Sequence, residues 1–181
     1  MKTLLGATIG GLLLGGIIHI AIVFLVPLYA SNDAWARIQA FNADLRFNVL
    51  PQAAPDSEVL SSLDPRMMHS VCQFDLGPGP VRIRAAFPHT FWSIAVFDRR
   101  GRNVYSLNDG SADGAALDLV LITPVQMALV RQDPPQSLET AIIVERAMSV
   151  GFVLLRTFIN DDSAADGIAS ALAAATCEQQ L

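Results

Sequence analysis

From Thr3 to Asn32 the chain carries no Asp, Glu, Lys or Arg. Its dense part, Leu4 to Leu28, is built of Leu, Ile, Val, Ala, Phe and Gly, interrupted by Thr8, His19 and Pro27. Read as a helix, these residues at about 1.5 Å each reach across the ~30 Å hydrocarbon core of a bilayer with some tilt. A single span must satisfy its own backbone groups in lipid, so helix is the expected conformation. The competing reading is a cleaved signal peptide, with Lys2 as its charged start and Leu28-Tyr29-Ala30 at the exit. Signal cores run to about 7–15 residues, so the longer run favours an uncleaved anchor. The span is therefore expected over 1–32. The short amino-terminal head favours an amino terminus inside the cytoplasm and residues 33–181 outside it, in an inner membrane.

Beyond the span the pattern changes twice. Asp33 to Phe41 reads as a short juxtamembrane helix, with Asp33 as its cap and Trp35 at the lipid interface. Asn48 to Pro65 is rich in Pro, Ser, Asp and Ala, and 33–65 reads as helix plus extended connector. Then the period becomes two, which marks half-buried strands. Ser70–Asp75 alternates, and Gly77-Pro-Gly-Pro80 turns. Val81, Ile83, Ala85 and Phe87 alternate with Arg82 and Arg84, giving a strand with an arginine face. Phe91–Asp98 and Asn103–Leu107 flank an Arg99-Arg100-Gly101 hairpin turn. Further strands are expected over Leu117–Ile122, Ala141–Val144 and Gly151–Ile159. Thr123-Pro124 opens a helix to about Arg131, stopped by Asp133-Pro-Pro135. A last helix is expected from Asp162 or Ser163 to Cys177. With no βαβ alternation, residues 66–181 read as a mainly β domain with marginal helices: an antiparallel β-sandwich, jelly-roll-like, on an N-terminal transmembrane helix.

Composition narrows the function. The chain has 181 residues, 52% of them hydrophobic, and a net charge of −5. That balance excludes a disordered chain and argues against nucleic acid, whose phosphates call for a basic face. Past the span, eleven arginines face seventeen acidic residues, so bulk charge gives no attraction to anionic lipid. Within the span, Gly6-xxx-Gly10 and Gly11-xxx-Gly15 have the spacing that lets helix backbones approach. His19 shares a face with Gly15 at i,i+4, and a polar side chain in mid-membrane needs a partner. Gly11, Gly15 and His19 are the expected helix–helix contact, with a companion membrane protein or a second copy.

The run Phe91-Trp-Ser-Ile-Ala-Val-Phe-Asp-Arg-Arg-Gly-Arg-Asn-Val-Tyr-Ser-Leu-Asn-Asp109 resembles the core motif of the bacterial domain-of-unknown-function family twelve-fifty-four. Gly15-Gly16, His19 and Val26-Pro-Leu-Tyr-Ala30 are similar to the span of its short alphaproteobacterial members. The resemblance extends to Asp64-Pro65, Val71-Cys72, Leu121-Ile-Thr-Pro124 and Cys177. It implies a jelly-roll-like sandwich, and a separate companion carrying a second domain of unknown function. It implies no reaction.

Candidate chemistry is sparse. His69, Cys72, His89 and Cys177 offer metal-ligand types, but a strand turns i and i+3 to opposite faces, so no metal is expected. No cofactor is expected either. Only His69 and His89 could serve a Ser-His-Asp triad, and there is no Gly-x-Ser-x-Gly elbow. Asp109-Gly-Ser-Ala-Asp113-Gly114 copies half a calcium loop, yet Val120 stands where its bidentate acid belongs. Arg99, Arg100 and Arg102 form the densest positive spot, with Asp98 beside them. A ligand pocket could be drawn from Trp92, Tyr105, Asn108, Arg82 and Arg84, the alternative to a non-catalytic module. Cys72 and Cys177 are expected to pair if the domain faces an oxidising compartment.

Overall fold

The computed structural model describes residues 2–52, 63–87, 90–112 and 116–180, with side chains described except at 27–33. Helix α1 (Lys2–Gln39) precedes nine strands: β1 (Asn48–Val49), β2 (Met67–Asp75), β3 (Val81–Ala86), β4 (Trp92–Asp98), β5 (Asn103–Asn108), β6 (Ala116–Ile122), β7 (Ile142–Glu145), β8 (Val150–Phe158) and β9 (Thr176–Gln179). Helix α2 (Pro124–Val130) lies between β6 and β7, and α3 (Ala165–Ala173) between β8 and β9. One sheet has the order β1-β2-β8-β4-β5 and the other β7-β6-β3-β9.

Alternation sets the inner faces. Val81, Ile83, Leu119 and Leu121 from one sheet meet Cys72, Ile94, Val96, Val153 and Leu155 from the other in a single buried cluster. Ile168 and Leu172, one turn apart on α3, join the same cluster. A bond between Cys72 and Cys177, with Cα atoms 6.6 Å apart, ties the β9 end of the chain to β2 in the opposite sheet.

The five-stranded sheet is also covered on its outer face. Ile38, Ala43, Leu50, Val71 and Phe152 form a second, smaller cluster there, joined by Trp35, Phe97 and Leu154. Phe97 stacks on Phe152 with centroids 4.9 Å apart, and Trp35 leans on the same Phe152 ring at 6.4 Å. The chain therefore does not leave α1 on a loose connector. Asn42, with φ 48°, turns it out of the helix, and Leu45, at φ 49°, donates its N–H to the Gln73 carbonyl. Leu50 N–H then bonds the His69 carbonyl.

Several expectations need correction. Helix α1 runs unbroken through 32, so Asp33 lies inside it and not at a helix start. Trp35 is half-buried and packs on the sheet, where Phe97 and Phe152 offer it an aromatic surface. Asn48–Val49, expected within the connector, pairs with β2. Strands β6 and β7 run parallel, joined through α2, so the pairing is not wholly antiparallel and one βαβ unit is present. Helix α3 ends at Ala173, and Cys177 stands in β9, where pairing with β3 overrides the helix preference of the alanine run. The helix at Thr123 forms as read, with a capping box between Thr123 and Gln126 and Pro124 in its first turn.

Candidate functional site

The expected pocket residues do not converge. Trp92 is 1% exposed and stacks on Phe87, centroids 4.7 Å apart, inside the core. Tyr105 packs against that core too. Asn108 is paired with Ser93 and so stands on the other face of the same sheet. Arg82 and Arg84 belong to the second sheet altogether. No single opening can present these five side chains to one ligand.

Arg82 is buried and already committed. Its Nε and Nη2 donate to the two carboxylate oxygens of Asp118 at 2.7 and 2.6 Å, a fork-to-fork pair across β3 and β6. Arg84, half exposed, stands 3.7 Å from the same carboxylate. The Arg82 hydrogen bonds hold the Asp118 carboxyl below its usual pKa against the opposing effect of burial. This arginine face is internal structure and not a free anion site. Asp118 was missed in the sequence, although a lone acid inside Ala116-Leu-Asp-Leu-Val-Leu-Ile122 marks a position needing a cationic neighbour.

Asp98 organises the hairpin tip. Its Oδ1 accepts from the N–H groups of Arg100 and Arg102, and its Oδ2 accepts from Arg102 Nε at 2.7 Å. Burial works against ionisation here, but the N–H groups and the Arg102 guanidinium outweigh it and hold the carboxyl below its usual range. Gly101 supplies the φ of 75° that the turn requires. Arg102 is thus neutralised. Arg99 lies over the Trp35 ring at 6.0 Å, and among the described residues neither Arg99 nor Arg100 has a carboxylate partner.

One polar row does form. Register places His69, Arg156, Ser93 and Asn108 side by side across β2, β8, β4 and β5 on the outer face of the five-stranded sheet. Arg156 Nε donates to Ser93 Oγ at 2.5 Å. Arg156 stands between Ser93 and His69, so the imidazole cannot serve this serine as a base. Burial, followed by the charge of Arg156, pushes the His69 pKa down, with Asp64 and a backbone bond at Met67 working the other way. His69 and Cys72 fall on opposite faces, and both cysteines are consumed by their mutual bond. His89, Asp113 and Gly114 lie outside the described residues. Asp109–Ser111 forms a single tight turn, and Val120 is fully buried in β6.

Among the described residues, two surfaces stand open. Along α1 a Cβ added at Gly11 or Gly15 would meet nothing within 4 Å. At one end of the sheets, Leu76, Pro124, Val125 and Met148 line a shallow, mostly apolar groove.

The model of a family described as protein of unknown function (DUF1254) matches residues 30–179. The chain belongs to the DUF1254 family. No curated protein matches it. Among solved structures, the VPA0106 protein of Vibrio parahaemolyticus superposes with a TM-score of 0.52 at 11% identity, over 82% of this chain and 35% of that one. A putative uncharacterized protein from Burkholderia cenocepacia gives a TM-score of 0.48 at 10% identity, over 66% of this chain and 33% of that one. This DUF1254 chain thus spans about a third of the length of either structure. At such identity the first likeness speaks to fold alone.

Proposed function

We propose that this protein is a single-pass module of the bacterial envelope, anchored by α1 in the inner membrane. Its amino terminus lies in the cytoplasm, and its domain, a jelly-roll-like β-sandwich, lies in the periplasm. Its role is to pair with a companion membrane protein, or with a second copy, and it catalyses nothing itself. The uncovered Gly11–Gly15–His19 stripe carries this reading. Residues Lys2–Val26 are long and apolar enough to cross a membrane, and Gly11 and Gly15 leave room for a second backbone. A histidine in mid-span needs a hydrogen-bonding partner, which a facing helix can provide. The Cys72–Cys177 bond supports an oxidising compartment for the domain. The chain passes from one sheet to the other at β2–β3, β3–β4, β5–β6, β7–β8 and β8–β9, which supports the jelly-roll comparison.

The test has two stages. Carbonate extraction should leave the full chain in the membrane pellet, and protease added to spheroplasts should remove the domain. Next, Gly11→Leu/Gly15→Leu and His19→Leu should each weaken self-association or complex formation in the membrane by about 0.6–2 kcal/mol, with insertion unchanged. A soluble chain beginning at Ser31 would overturn the anchor. An unchanged complex in both variants would reduce α1 to a simple anchor.

A further inference from the structure

The two ends of the β-domain differ in what they expose, and α1 marks which end faces the bilayer. Ile38 packs with Val71 and Phe152, while Trp35, one turn earlier, reaches Phe152 and Arg99. Followed toward the amino terminus, the helix therefore leaves the sheet at the end where β4 turns into β5. The same end holds the close of β2 and the start of β8, because these strands are antiparallel to each other and β4 is antiparallel to β8. In the second sheet it holds the start of β3, the close of β6 and the beginning of α2. The groove formed by Leu76, Pro124, Val125 and Met148 lies there.

What this end presents is amphipathic. Arg99 and Arg100 stand at the β4–β5 tip, neither of them paired with a carboxylate among the described residues. On α2, Val125 is 74% exposed and Leu129 63%, one turn apart and so on one face. Outside α1 these are the most exposed large apolar side chains described. Trp35 is nine residues beyond Val26, the end of the apolar window, so helical rise places it at most about 14 Å above that level. The headgroup layer itself is roughly 5–8 Å deep. Any tilt of α1 lowers the domain further.

We propose that this end of the domain rests on the bilayer that α1 spans. Arg99 and Arg100 bind lipid phosphates, and Val125 and Leu129 enter the headgroup–acyl boundary. The inference depends on α1 being an anchor. Continuity with the span selects lipid as the occupant, and the charge of the tip matches anionic headgroups despite the domain's overall negative charge. The domain would then lie against the membrane surface in a fixed pose, with the His69–Arg156–Ser93–Asn108 row turned toward the far end.

Full-length protein in nanodiscs tests this by hydrogen–deuterium exchange, comparing phosphatidylcholine discs with discs containing 30% phosphatidylglycerol. Backbone exchange over 99–103 should slow at least threefold in the anionic discs, and this effect should vanish in 0.5 M NaCl and in R99Q/R100Q. Exchange over 125–130 should be slow in both lipids and faster in Val125→Asp/Leu129→Asp. All of these side chains are exposed, so the variants should fold, and unchanged exchange at Cys72 and Val153 checks that they do. Equal exchange in both lipids and in every variant would overturn the proposal. Protection of α2 that appears only in membranes retaining other proteins would also overturn it and assign that face to a protein. Failure of the chain to enter discs would instead overturn the anchor.

Discussion

Asp118→Asn should be among the most damaging single changes on the domain's outer faces. Arg82 is 5% exposed, and its guanidinium is satisfied by the two oxygens of Asp118 at 2.7 and 2.6 Å. An amide keeps one acceptor, loses the charge, and leaves a buried cation without a counter-ion. Breaking one side of such a pair costs about 3–5 kcal/mol, and the 30% exposure of Asp118 places the expectation at about 3 kcal/mol. For a domain of this size that lowers the melting temperature by roughly 10 °C. The reverse change should be milder. In Arg82→Met the partly exposed Asp118 keeps Arg84, already 3.7 Å away, and the expected loss is about 1 kcal/mol. Arg82→Met/Asp118→Leu removes both charges and should recover to within about 1 kcal/mol of the parent. The sign of the pH effect follows from the lowered Asp118 pKa. Its contribution is complete above the unfolded carboxylate value near 3.9 and disappears as pH falls through the folded value, so Asp118→Asn should show a flatter acid limb. Thermal unfolding by circular dichroism from pH 7 to pH 3 measures all four proteins. A loss under about 1 kcal/mol in Asp118→Asn, or a larger loss in Arg82→Met, would refute the account.

Two further outcomes are expected. Cys72→Ala/Cys177→Ala opens a loop closed across 105 residues and should cost up to about 4.7 kcal/mol in the chain-entropy estimate, read as a lower denaturation midpoint; two alkylatable thiols in native parent protein would contradict the bond. Gly151→Ala would drive a Cβ onto the Phe97 carbonyl oxygen and to 2.7 Å from Phe74 Cζ, both in elements packed on central β8, and should destabilise by about 1–3 kcal/mol in the same melts.

The strands were legible where apolar and polar residues alternate. Val81, Ile83 and Ala85 against Arg82 and Arg84 is such a case, and β3 forms where the alternation places it. The α2 boundary was legible because Thr123, Pro124 and Gln126 act locally. What failed depends on partners distant in sequence. Nothing local in Asn48–Val49 or Thr176–Gln179 announces a strand; each becomes one because β2 or β3 has an open edge. The parallel β6–β7 pair hides for the same reason, since Ile142–Glu145 has only four residues and no orientation signal. The expected pocket residues share only their chemical types, aromatic, amide and guanidinium groups. Alternation alone separates Tyr105 from Asn108, three residues apart in one strand, but which sheet each strand joins decides the rest, and that is not written in any one segment. Asp98 and Asp118 show the converse. Each is an isolated acid next to an apolar run, and each proved to be a structural counter-ion.

The junction at Trp35 and Ile38 is a mount and not a tether. A flexible linker would let the domain sweep a volume above the membrane, and its encounters with a neighbour would be governed by linker length. Here the last turns of α1 share a buried cluster with β2 and β8, so the helix axis and the sheet are parts of one lever. Rotating α1 about its axis swings the domain through the same angle and changes which loops it offers its surroundings. For the anchor proposed above, an event inside the bilayer would thus be passed to the domain without any change in its fold.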